Sequence, residues 1–61
     1  MGNITCTIGL SGGMWRVSIY RDGQYITHKY FSNKLVAECY GLIVDNCKTI
    51  SVAGGKILLR K

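Results

Sequence analysis

The sequence predicts an α+β fold: a three-stranded antiparallel meander packed on one helix, followed by a short C-terminal β strand or hairpin. Two glycine-containing dipeptides divide the first half into three runs of alternating polar and apolar residues. A stretch with helical periodicity and then a second β-rich stretch follow. A chain of 61 residues is too short for two cores, so we expect a single domain over 1–61. The predicted elements are strands at about 3–10, 14–21 and 24–31, a helix at about 33–46 and a β tail at about 49–60.

The two dipeptides, Gly12-Gly13 and Asp22-Gly23, suit two-residue hairpin turns in which both central residues need positive φ. Each turn imposes a register. The first pairs Leu10 with Trp15, Ile8 with Val17, Thr7 with Ser18, Cys6 with Ile19 and Thr5 with Tyr20. The second pairs Tyr20 with Tyr25, Ile19 with Ile26, Ser18 with Thr27, Val17 with His28, Arg16 with Lys29 and Trp15 with Tyr30.

Residues directly opposite one another share a face of a sheet, so the two registers predict two faces. The predicted apolar face carries Cys6, Ile8, Leu10, Trp15, Val17, Ile19, Ile26, His28 and Tyr30. The predicted polar face carries Thr5, Thr7, Gly9, Arg16, Ser18, Tyr20, Tyr25, Thr27 and Lys29. Both turns give the same partition of the middle strand, which supports the meander.

The apolar face needs a cover, and the next segment supplies an amphipathic helix. Ser32 or Asn33 can cap its N-terminus. The predicted apolar stripe is Val36, Cys39, Ile43 and Cys47, with Leu35 and Leu42 beside it, and it is wide because Tyr40 and Val44 flank it. The tail is either a short hairpin around Gly54-Gly55 or one interrupted strand. It contains the continuous apolar run Ile57-Leu58-Leu59, which predicts that both faces of this strand are buried, either in the core or in a dimer contact.

Composition narrows the function classes. Eight Lys and Arg against three acids give a net charge of +5, which favours an anionic partner, either nucleic acid or an acidic protein surface. The plain alternative is a charge that keeps a small domain soluble. No apolar stretch approaches the roughly 18 residues of a membrane span, and the N-terminus lacks the basic start and apolar core of a signal peptide. We therefore expect a soluble cytoplasmic protein without membrane contact and, from its size and tail, a homodimer.

The titratable residues form no catalytic constellation, so we expect no enzyme activity. The one histidine, His28, falls on the predicted apolar face, and the acids do not pair for acid–base work. Three cysteines, Cys6, Cys39 and Cys47, are too few and too widely spaced for a zinc site or a disulfide framework. We expect buried free thiols and no cofactor.

The predicted polar face is the candidate site. Arg16 and Lys29 face each other there, and an approaching anion would relieve their repulsion. The predicted nucleic-acid-binding residues are Arg16, Ser18, Tyr20, Tyr25, Thr27, Lys29, Arg21 and Lys34, the last two near the rim. Hydroxyls and Arg can contact phosphates or base edges, and Tyr can stack on unpaired bases. A merely solvated face is the alternative, because Thr, Ser and Tyr are common in exposed strands.

The run Gly13-Met14-Trp15-Arg16-Val17-Ser18-Ile19, then Gly23, Phe31-Ser32, Ala37 and Tyr40, resembles the AP2 domain over about residues 13–45. It is also similar in architecture to the arm-type DNA-binding domain of phage and transposon integrases. The resemblance implies duplex DNA binding through the exposed sheet face in the major groove. It implies DNA contacts by Arg16, Ser18 and Lys29 and structural roles for Trp15 and Phe31. The family helix usually has acids after its start, where this chain has Lys34-Leu35-Val36, and the β tail has no counterpart.

Three functions therefore compete at this point. The first is a small DNA-binding module that uses the polar sheet face. The second is a small phage-type effector or inhibitor that binds a host protein through the apolar helix and tail surface. The third is ligand binding between subunits.

Overall fold

A computed structural model describes residues 3–60, so residues 1, 2 and 61 of the predicted domain lie outside the described part. The fold class is the predicted one: a three-stranded antiparallel sheet in the order β1-β2-β3, one helix packed on it and a C-terminal two-stranded hairpin. The elements are β1 (Ile4–Ser11), β2 (Met14–Arg21), β3 (Gln24–Phe31), α1 (Lys34–Asp45), β4 (Thr49–Ala53) and β5 (Lys56–Arg60).

The β1–β2 hairpin has the predicted register along its whole length. Leu10 lies opposite Trp15, Cys6 opposite Ile19, and the pairing continues without interruption to the start of the strand. Gly12 and Gly13 have φ of 56° and 81°, as a two-residue turn that follows the twist of the sheet requires.

The β2–β3 hairpin starts in the predicted register and then leaves it. Asp22 and Gly23 have φ of 52° and 82°, and Tyr20 lies opposite Tyr25. A β-bulge follows, and Ile19 lies opposite Thr27, so that β3 holds one extra residue, Ile26. The predicted pairs beyond Tyr20–Tyr25 are therefore wrong by one residue.

Because of the bulge, each side chain of β3 after Ile26 lies on the face of the sheet opposite to the predicted one. His28 and Tyr30 lie opposite Ser18 and Arg16, on the side away from the helix. Thr27, Lys29 and Phe31 lie on the helix side, opposite Ile19, Val17 and Trp15. The physical reason is burial: this register packs Ile26 and Phe31 against the core and leaves the imidazole and the phenol outside.

Helix α1 begins at the predicted cap, where the Asn33 side chain accepts hydrogen bonds from the backbone N–H groups of Leu35 and Val36 at 2.8 and 3.3 Å. The helix is rotated from the predicted orientation. Its sheet-facing residues are Ala37, Tyr40, Gly41 and Val44, and of the predicted stripe only Cys47, after the helix, is buried.

Small residues explain the rotation, because they let the helix lie close to the sheet. A Cβ built on Gly41 would come within 3.1 Å of Ile8 Cδ1 and 3.3 Å of Cys6 Sγ. A bulky side chain at this position would push α1 away from β1. Of the predicted stripe and the residues beside it, those that belong to α1 are exposed instead: Leu35, Val36, Cys39, Leu42 and Ile43. The predicted flanking residues Tyr40 and Val44 pack against the sheet.

The C-terminal tail is the hairpin alternative of the two predictions, turning at Gly54-Gly55. Ile50 is buried and pairs with half-buried Leu59, and both pack on the core, whereas Leu58 is 55% exposed. The tail thus contributes to the core through one face only. The buried centre of the fold consists of Ile4, Val17, Ile19, Ala37, Val44 and Ile50.

Within residues 3–60, no helix has the length and apolar character needed to cross a membrane.

Candidate functional site

The side of the three-stranded sheet that faces away from α1 is the candidate site, here called the outer face. Its β2 and β3 residues are Arg16, Ser18, Tyr20, Tyr25, His28 and Tyr30, with Thr5, Thr7 and Gly9 opposite them on β1. The three acids of the chain lie elsewhere, Asp22 in a turn and Glu38 and Asp45 on the helix. The outer face therefore has no acidic side chain.

Four rings form a continuous row on this face. Tyr20 and Tyr25 meet edge to face with centroids 6.0 Å apart, which confirms the predicted tyrosine pair. Tyr25 and His28 lie nearly parallel at 6.1 Å, and His28 and Tyr30 are 5.2 Å apart at 79°. The Tyr25 hydroxyl and His28 Nδ1 also form a hydrogen bond. These contacts fix the ring orientations, yet Tyr25 and Tyr30 remain 50% and 44% exposed.

Arg16 provides the positive charge of the row. Its guanidinium carbon lies 5.9 Å from the centroid of the Tyr25 ring, and its neighbour across the strands is Tyr30. Arg16 Nε is buried and has no hydrogen-bond partner within the described residues. The side chain stem is thus held in the row, and the cation lies beside ring faces that a base could stack on.

Three further predicted site residues do not present the groups that the sequence assigned to the outer face. Ser18 belongs to this face but is only 8% exposed, so it presents little surface to a ligand. Thr27 and Lys29 lie on the helix side, because of the bulge. Lys29 Nζ is 5.7 and 5.4 Å from the ring centroids of Phe31 and Tyr40, and the predicted Arg16–Lys29 pair does not form.

The two predicted rim residues serve packing within the fold. Arg21 Nη2 donates a hydrogen bond of 2.9 Å to the carbonyl of Ile50, which ties the sheet to the C-terminal hairpin. Lys34 Nζ lies 5.4 Å from the Trp15 ring on the helix side of the sheet. Neither cation belongs to the aromatic row.

Thiol chemistry lies apart from the outer face. Cys6 is on the helix side, where burial, the charge of Asp45 and a hydrogen bond to its carboxylate raise the pKa of the thiol from 9.0 to about 11. Cys47 is buried and donates to the carbonyl of Ile43 at 2.9 Å, whereas Cys39 is exposed, contrary to the prediction of buried thiols. Burial, and secondarily the charge of Cys47, raises the pKa of Tyr40. Within residues 3–60, no three His, Cys, Asp or Glu side chains are grouped so as to hold a metal ion.

His28 and Tyr30 are the outer-face residues that sequence reasoning missed. The signal was present in Phe31, to which the AP2 resemblance assigns a structural role. Adjacent strand residues point to opposite faces, so Phe31 packed inside requires Tyr30 outside. In the structure Phe31 packs against Tyr40, with ring centroids 5.2 Å apart, and Tyr30 lies on the outer face.

No protein-family model, curated protein or solved structure matches this chain.

Proposed function

We propose that this chain is a small nucleic-acid-binding module that uses the outer face of its sheet and prefers unpaired strands. The observation that carries the proposal is the row of four rings with Arg16 beside it, on a face without acids, in a chain of net charge +5. Stacking on an aromatic side chain contributes about 1–3 kcal/mol per base and tolerates any base.

The geometry favours an unpaired strand over a duplex. Reading a duplex in the major groove needs polar side chains that reach base edges. Of the residues to which the AP2 resemblance assigns DNA contacts, Arg16 alone is available on the outer face, because Ser18 is covered and Lys29 lies on the helix side. The exposed parts of Tyr25 and Tyr30 suit bases that are free to stack.

We place this activity in the cytoplasm, because three free cysteines suit a reducing compartment. The second candidate, a phage-type effector that docks on a host protein, is favoured by a different observation: the exposed apolar side of α1 and exposed Leu58. The exposed side of α1 and the outer face of the sheet lie on opposite sides of the molecule, so variants on α1 and on the outer face can separate the two candidates.

The test is a fluorescence-anisotropy titration with a labelled single-stranded oligonucleotide and a duplex of the same sequence. We expect tighter binding of the single strand, with an affinity that falls as salt rises because bound phosphates release counterions. Tyr25→Ala and Tyr30→Ala should each lower the affinity about fivefold or more through lost stacking. Arg16→Ala should lower it as well and reduce the salt dependence.

Lys29→Ala is the matched control, since it removes one positive charge from the neighbouring strand on the other face. We expect the affinity of this variant to stay within about twofold of the parent, because the Lys29 ammonium group lies over Phe31 and Tyr40 on the helix side of the sheet and its charge is partly screened at physiological salt. Equal losses for Arg16→Ala and Lys29→Ala would show attraction to net charge rather than an outer-face site. Absence of binding to either oligonucleotide at low salt would refute the proposal.

A further inference from the structure

The two edges of the outer face differ in chemistry. The β3 edge carries the rings of the aromatic row, whereas the β1 edge carries small residues: Thr5, Thr7 and Gly9. One line of cross-strand neighbours shows the contrast most clearly. Gly9 lies opposite Arg16, and Arg16 lies opposite Tyr30. From β1 to β3, this line therefore presents bare backbone, a guanidinium and a phenol ring.

Gly9 has no role within the fold that a larger residue could not take. The β1–β2 ladder is regular on both sides of it, so Gly9 does not form a bulge. Its φ is not positive, and a Cβ built on it would meet no heavy atom within 4 Å. A glycine inside a strand otherwise marks a place where a ligand or another backbone approaches closely. A close approach from outside the chain is the role that remains.

The outer face has a notch of about 200 Å³ at this position, here called the Gly9 notch. Thr7, Gly9, Ser11 and Arg16 are among the residues that line it, and no acid of residues 3–60 does. Thr7 and Ser11 are exposed. The lining thus combines a guanidinium with accessible hydroxyl groups, which are groups that proteins use to contact phosphate oxygens.

Arg16 has hydrogen-bonding capacity left for a ligand. Its Nε is buried and has no partner within residues 3–60, and the outer face holds no acid that could pair with the guanidinium. A buried donor without an acceptor is unfavourable. An anion that draws the guanidinium toward the Gly9 notch supplies both acceptors and a counter-charge, and phosphate oxygens match the planar fork of arginine.

We infer that the Gly9 notch binds a backbone phosphate of an unpaired nucleic-acid strand, with Arg16 as its cation and Thr7 as a hydroxyl donor. The inference rests on the proposed function and adds to it the course of the bound strand. The phosphates follow the β1 edge of the outer face, and the bases lie over the rings at the β3 edge.

The width of the sheet suits a nucleotide placed in this way. Neighbouring strands are about 4.8 Å apart, so β1 and β3 are separated by roughly 10 Å across β2. A nucleotide spans that distance from its phosphate through its ribose to its base, which can then stack on Tyr30 in the same line as Gly9. A carboxylate of an acidic peptide would also suit Arg16, but it brings no ring for Tyr30. The pairing of notch and ring therefore favours a nucleotide.

The test fills the Gly9 notch without changing the charge of the protein. Gly9→Val should lower the affinity for a labelled single-stranded oligonucleotide about tenfold or more in anisotropy titrations, because a charge-assisted hydrogen bond is lost. The slope of log affinity against log salt should become shallower by about 0.7, the value of one phosphate on a single strand. The backbone and the open space at Gly9 accept valine, so the urea midpoint should not fall.

Ser51→Val is the matched control, since it adds valine at an exposed strand position of the C-terminal hairpin. Its affinity should stay within about twofold of the parent. Thr7→Val keeps the side-chain shape and removes the hydroxyl, so it should lower the affinity about threefold. The double variant of Gly9→Val with Arg16→Ala should bind within about twofold of the weaker single variant, because both changes remove the same contact.

Tyr30→Ala separates failure of this inference from failure of the proposed function. It should weaken binding about fivefold with an unchanged salt slope, because it removes stacking and no phosphate contact. If Tyr30→Ala weakens binding while Gly9→Val binds like the parent, the phosphate site is overturned and the proposed function stands. A parent that binds no oligonucleotide at low salt would overturn both. A polyglutamate peptide that binds as tightly as the oligonucleotide, and is lost with Gly9→Val, would overturn the nucleotide assignment in favour of carboxylates.

Discussion

The two hairpins of the sheet share strand length and turn chemistry but differ in register. Each joins two eight-residue strands through two residues with positive φ. The β1–β2 hairpin keeps its register from Ser11–Met14 to Ile4–Arg21. The β2–β3 hairpin keeps the register of its turn for two pairs, Arg21–Gln24 and Tyr20–Tyr25. Its register then shifts by one residue between Tyr20 and Ile19.

The difference shows how far a turn determines a hairpin. The turn sets the first pairs, and the packing of side chains against α1 decides whether that register continues. In β1, the turn-imposed alternation already places Ile4, Cys6 and Ile8 toward the helix. In β3, the same alternation would bury His28 and expose Phe31, and one bulge avoids both costs.

The largest effect expected from this comparison is at Ile19, where the two hairpins meet. Ile19 is fully buried, opposite Cys6 in the regular hairpin and Thr27 after the bulge. Ile19→Ala should lower the free energy of unfolding by about 3 kcal/mol through lost burial and the cavity left behind, as measured by urea denaturation. Ile8→Ala is the control on the same side of β1, and its 37% exposure predicts about 1 kcal/mol. Equal losses at the two sites would contradict the described core.

A deletion of Ile26 should remove the difference in register between the two hairpins and should lower the free energy of unfolding less than Ile19→Ala does. Removing the extra residue makes the β2–β3 ladder regular and leaves residues 27–31 on their present faces. The cost should be about 1–2 kcal/mol, from loss of a half-buried side chain, and oligonucleotide binding by the outer face should persist. Ile26→Ala is the control, because it removes nearly the same contacts and keeps the bulge.

The outcome that refutes this account is a deletion far more damaging than Ile26→Ala. If β3 were regular beyond Tyr25, the deletion would move His28 and Tyr30 to the other face, and both stability and binding would be lost.

The smallest effect concerns Cys6, which pairs with Ile19 in the regular hairpin. The pKa of its thiol is raised from 9.0 to about 11 in the folded chain. Below pH 9 the thiol is neutral in both states, and its contribution to stability is fully present. As pH rises from 9 to 11, the unfolded chain ionises first, so the free energy of unfolding falls. Cys6→Ala should lose stability less steeply than the parent over that range, as measured by urea denaturation at a series of pH values; identical slopes for the variant and the parent would exclude this role for Cys6.

The sequence was sufficient for the element order, both turns and one register. Glycine-containing dipeptides demand positive φ, and strict alternation in β1 and β2 agrees with the first turn, so these features depend on local rules. The bulge depends on whether His28 or Phe31 is buried against the helix. The periodicity of the sequence alone does not compare the free energies of these two alternatives. The candidate site was therefore half predicted: Arg16, Ser18, Tyr20 and Tyr25 lie on the outer face, and His28 and Tyr30 replace Thr27 and Lys29 there.

The helix orientation was missed for a related reason. A stripe chosen by hydrophobicity selects Val36, Cys39 and Ile43, whereas the sheet accepts the smaller Ala37 and Gly41. Close packing favours small residues where two elements approach closely, and bulky ones remain outside. The bulky side of the helix therefore remains exposed.

The register of β3 decides which residues form the outer face, and cross-strand nuclear Overhauser contacts test it most directly. In a two-dimensional spectrum of the uniformly labelled chain, we expect backbone contacts that pair Ser18 with His28 and Arg16 with Tyr30. Contacts that pair Ser18 with Thr27 and Arg16 with Lys29 would contradict the bulge and, with it, the aromatic row.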